Sequence, residues 1–131
     1  MKTFIIILFT LTTFSAFSQV RSVWKGNTPG QETNWNAPAN WSINRIPDEF
    51  TDVVIELDIS VERNYPVLVT DRTEINSLNI WPGAVLNIKE GELLVVDLLK
   101  TNYNRVQVIG KGKLIRSDDP HYAGDETASK N

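Results

Sequence analysis

Ile75-Asn76-Ser77-Leu78-Asn79-Ile80-Trp81-Pro82-Gly83-Ala84-Val85-Leu86-Asn87-Ile88-Lys89-Glu90-Gly91-Glu92-Leu93-Leu94-Val95-Val96-Asp97-Leu98-Leu99 carries the pattern on which the fold turns. Leu78-Asn79-Ile80 recurs as Leu86-Asn87-Ile88 and again as Leu94-Val95-Val96, each eight residues on, and Gly83 and Gly91 keep the same interval. An octad of this kind sets two branched side chains inward from a short strand. It then turns, and glycine supplies the positive φ or close approach that a corner needs. Three octads make one coil of about 24 residues, a rung of a right-handed parallel β-helix in which equivalent side chains stack. Leu78, Ile80, Leu86, Ile88, Leu94 and Val96 are therefore expected to point into one core. The same intervals also fit hairpins turning at Trp81-Pro82-Gly83 and Lys89-Glu90-Gly91, so an antiparallel β meander or sandwich is the alternative.

Outward from this stretch the pattern stays β. Val53, Ile55 and Leu57 alternate with Val54, Glu56 and Asp58 as a strand with one inward face, and Pro66 to Thr70 is a second short apolar run. Val106-Gln107-Val108, with Leu114 following, continues the octads less regularly. No window of a dozen residues has amphipathic helix spacing, so the class is all-β. The solenoid is expected over residues 51–116, preceded by an irregular Trp/Asn-rich cap over 19–50 and followed by a polar, disordered tail over 117–131.

The chain has 131 residues and no cysteine, which fits one domain with one modest core and no disulfide. Residues 1–18 have the layout of a secretory signal peptide. Lys2 is followed by the apolar run Phe4 to Phe9, and Ala16 and Ser18 suit a cut before Gln19. Thr10, Thr12, Thr13 and Ser15 interrupt the run well short of the roughly 20 residues that a membrane span needs. Removal of Lys2 leaves 12 basic against 16 acidic residues, an acidic balance that argues against nucleic acid and anionic membrane as partners. The expected location is secreted or at the cell surface, with no membrane insertion after signal removal.

Trp24-Lys25-Gly26-Asn27, the run Asn34 to Ser42, Pro47, Asp52-Val53-Val54-Ile55, Tyr65-Pro66-Val67 and the octads together carry a resemblance. Over residues 24–99 the chain resembles the start of β-helical passenger regions in large secreted, adhesin-like surface proteins of bacteria that use the type IX sorting route. It departs from that pattern in ending soon after the repeat, without further domains or a C-terminal sorting domain. The resemblance implies location and fold rather than an activity.

Candidate chemistry is sparse. Trp24, Trp35 and Trp41 lie among Asn36 and Asn40, and indole faces beside amides suit a sugar-binding surface. The structural reading is that the same aromatics cover the open end of the solenoid. Glu56 and Asp58 share a strand face but lack the flanking signs of a glycosidase cleft, so they read as a solvated face. Asp48, Glu49 and Asp52 offer oxygen ligands to a hard cation yet match no calcium-loop spacing, and capping of the first strand explains them equally. His121 is the only histidine and stands in the tail, which gives no zinc site or nucleophilic triad. No catalytic residue and no cofactor is expected. The leading expectation is a non-catalytic structural or adhesive module, and the alternative a carbohydrate-binding module using the Trp/Asn-rich segment. Expected partners are a surface glycan, a longer β-solenoid chain or a second copy stacked end to end.

Overall fold

The computed structural model describes residues 18–57, 64–102 and 107–119. The expected signal peptide up to Phe17, Asp58, Val106, His121 and the tail beyond Asp119 lie outside the described residues.

Seven strands are described, and they form two sheets. The first sheet runs β1 (Val20–Val23), β2 (Thr51–Ile55), β4 (Ser77–Ile80). In the second, β3 (Val67–Ile75) lies beside β5 (Leu86–Val95), and β5 is flanked on its other side by β6 (Val108–Ile109) and β7 (Lys113–Arg116). The fold is all-β. Every ladder between these strands is parallel, which a meander of hairpins does not allow, because neighbouring hairpin strands run in opposite directions. The single antiparallel pairing is the isolated bridge between Trp24 and Trp41. Neither sheet closes on itself.

The chain alternates between the sheets, and each pass adds one parallel strand to each. Asn76 makes the sharpest crossing, as the one residue between β3 and β4. Its backbone N–H donates to the Thr51 carbonyl at 3.0 Å, and its side-chain amide donates to Asp52 Oδ1 at 2.6 Å. The core lies between the sheets and is built from Val53, Ile55, Leu68, Ile75, Leu78, Ile80, Leu86 and Ile88, continued by Leu93 and Val95.

Two octads sit as their spacing predicts: Leu78 and Ile80 from β4, and Leu86 and Ile88 from the first half of β5, all face this core. The third is shifted by one residue. Leu93 and Val95 point inward, Leu94 is buried outside the core cluster, and Val96 is 40% exposed. The cause is the Gly91 corner, where β3 and β5 lose register between Leu68 and Arg72, so that the inward parity of both strands changes. Gly91 has φ +83°, and a Cβ there would lie 1.6 Å from the Thr70 carbonyl oxygen of the neighbouring strand.

Elsewhere, β2 buries Val54 as well as Val53 and Ile55, and Leu57 lies beyond it at 38% exposure. A parallel strand with both faces covered loses the simple alternation expected of it. β1 lies inside the segment read as irregular, paired from Val20 to Val23 with residues from Thr51 to Val54. Asn79 and Asn87 fall on different sheets and do not stack on each other; Asn79 bridges instead to Asn102.

Candidate functional site

The Trp/Asn-rich segment follows β1 and wraps over the N-terminal end of the core. Trp24 leaves β1 with its backbone N–H bonded to the Val54 carbonyl at 2.9 Å. Lys25 and Gly26 then reverse the chain, and Gly26 adopts φ +61°. A Cβ on Gly26 would lie 2.5 Å from the Asn64 carbonyl oxygen and 2.7 Å from Trp24 Nε1, so the W-x-G spacing has a packing reason.

Trp24, Trp35 and Trp41 are fully buried within the core cluster. Trp41 stands between the other two, edge to face with each, at centroid distances of 4.9 Å to Trp24 and 4.7 Å to Trp35. Trp24 Nε1 donates to the Asn64 carbonyl at 2.6 Å, and Trp41 Nε1 donates to the Trp35 carbonyl at 2.7 Å. Trp35 Nε1 is buried with no partner. None of the three indole faces is open, so the flat stacking platform expected of a sugar site is not formed. The aromatics cover the end of the core instead.

The asparagines divide into two roles. Asn40 is buried, and its amide donates to the carbonyls of Gln31 at 2.6 Å and Asn34 at 3.0 Å, while its Oδ1 accepts from the Thr28 N–H at 2.9 Å. Each of these bonds satisfies a backbone group of the loop that would otherwise be buried alone. Asn36 is exposed and its amide donates to the Val69 carbonyl at 3.2 Å, tying the segment to β3. Both side chains are thus engaged in holding the loop. At its outer turn the Glu32 carboxylate bonds its own backbone N–H and that of Gly30, which holds its carboxyl below the ordinary range.

The acidic group does not converge. Asp48 Oδ1 accepts from the Phe50 N–H at 3.1 Å and the Thr51 hydroxyl at 2.8 Å, forming the turn into β2. Asp52 Oδ1 accepts from Asn76 and from the Ser77 hydroxyl, both at 2.6 Å, across to the next strand. Glu49 is exposed. Among the described residues no cluster of three His, Cys, Asp or Glu is placed to hold a metal ion. Glu56 pairs with Arg21 at 3.1 Å on the outer face of the first sheet.

Sequence reasoning passed over two features. Trp81, at the corner after β4, is 45% exposed beside Leu57, its backbone tied to Ile55 and Gln107. The last strands carry Lys111, Lys113 and Arg116 on one short segment, a local basic cluster hidden within an acidic total. Counting charge by segment rather than by chain would have found it.

No family model, no curated protein and no solved structure matches the chain.

Proposed function

We propose that the chain is a short right-handed parallel β-solenoid that serves as a non-catalytic structural or adhesive module outside the cell. The observation that carries this reading is the recurrence of parallel register in both sheets. Val53 pairs with Leu78, 25 residues on, in the first sheet. In the second, Leu68 pairs with Ile88 and Ile75 with Val95, each 20 residues on, and Leu93 pairs with Leu114, 21 residues on. A near-constant advance with parallel pairing is how a coil stacks on its predecessor.

The roles of the polar side chains support the non-catalytic part. Asn40, Asp48 and Asp52 satisfy backbone or neighbouring side chains, and the three indoles close the core. Export rests on the sequence: the apolar run behind Lys2 and the Ala16 and Ser18 pair.

The test is to display the chain on bacterial cells and measure their attachment to glass, to plastic and to other cells, alongside sugar release from a panel of polysaccharides. The reading predicts increased attachment that disappears when the core is broken, with no sugar released. Sugar release that falls on replacing one carboxylate would overturn it.

A further inference from the structure

The two ends of the stack differ in how they are finished. At the N-terminal end the Val23 N–H donates to the Ser42 hydroxyl at 2.9 Å and the Val23 carbonyl accepts from the Ser42 N–H at 2.9 Å. The stacked indoles fill the space behind them. At the other end β6 and β7 pair only with β5, and no described residue pairs with their outer edges. Val108 and Leu114 pack on the core but remain partly exposed, and Ile109 is 50% exposed. A bare strand edge beside apolar side chains is the ordinary template for adding a further strand.

Charge decides what that strand is. Arg72, Glu92 and Lys113 stand in register on three successive strands, so their signs alternate along one outward column at a spacing of about 4.8 Å. The next place in the column follows a lysine, with Lys111 close by in the chain. Asp118 engages Arg116 at 3.0 Å, whereas Lys111 and Lys113 have no carboxylate partner among the described residues. A second copy fits poorly. Paired antiparallel across a two-fold axis at the centre of β7, it sets Lys113 against Arg116 of the other copy. Stacked head to tail in register, it sets Lys113 beside Arg72, because β3 begins that sheet. Like charges directly opposite destabilise strand pairs.

We propose that the outer edge of β7, with Ile109 of β6 beside it, is a docking edge for an extended acidic polypeptide segment of another protein. The segment adds in parallel, sets an apolar side chain over Leu114 and places a carboxylate opposite Lys113. The inference rests on the parallel-coil reading above.

The experiment uses the full chain and a fluorescent peptide alternating valine with glutamate, compared with its lysine-for-glutamate counterpart, by anisotropy at low salt. The acidic peptide is expected to bind about tenfold more tightly, with Lys113→Glu reversing the preference. Equal binding of the two peptides, indifference to Lys113→Glu, or a dimer of the chain that blocks the peptide would each overturn the proposal. Hydrogen exchange on the same sample separates the two failures. Protected β5 amides without peptide binding overturn the docking edge alone, and unprotected β5 amides overturn the coil reading beneath it.

Discussion

Trp41 and Trp35 touch each other yet differ in their polar ends. Trp41 Nε1 is bonded to the Trp35 carbonyl, while Trp35 Nε1 is buried alone. Replacing Trp41 by Phe removes volume and strands a buried carbonyl, whereas replacing Trp35 by Phe removes volume and an unpaired donor. Trp41→Phe is therefore expected to cost about 1 kcal/mol more than Trp35→Phe in denaturant unfolding. Equal costs would mean that the indole bond contributes nothing. Glu32 supplies a pH test. Its carboxyl lies below the ordinary value of 4.5 in the folded chain, so its contribution is present above that value and is lost as pH falls through the folded one. Melting curves of Glu32→Gln should fall below those of the parent near neutral pH and converge with them in acid.

At the scale of the strand, the Gly91 corner sets which side chains of β5 enter the core. Gly91→Ala places a methyl against the Thr70 carbonyl at a backbone angle that L side chains rarely adopt. It should destabilise by more than about 2 kcal/mol. Leu86→Ala should cost on the order of 2 to 5 kcal/mol, and Val96→Ala, at an exposed position, about 0.5 kcal/mol or less. Similar costs at Leu86 and Val96 in denaturant melts would show that the inward set is misassigned. The octad interval made the first two strand positions legible, and the positive φ of Gly83 and Gly91 with them. It did not reveal the shift to Leu93 and Val95. That shift depends on a bulge against Thr70 and Asp71, which lie in the neighbouring strand and leave no mark on the local period. β1 was hidden for a related reason: Val20-Arg21-Ser22-Val23 is too short to show a period, and its strand character comes from pairing with β2.

Across the whole molecule, composition placed the Trp/Asn-rich segment correctly as a distinct region but left its use open. Indoles among amides suit a sugar surface and a core cover equally. The choice lies in the geometry: three rings edge to face, and the Asn40 amide directed at loop carbonyls rather than at solvent. The account as a whole stands on parallel stacking of successive passes. The chain has no cysteine, so introduced pairs report pairing without interference. Glu92 and Lys113 are in register on adjacent parallel strands, and a strand spacing of about 4.8 Å falls within disulfide reach. Disulfide formation in the double variant Glu92→Cys with Lys113→Cys is the most direct measurement. The account predicts a rapid intramolecular cross-link under mild oxidation, with the melting temperature held or raised. A pair that stays reduced, or that cross-links only between molecules, would contradict it.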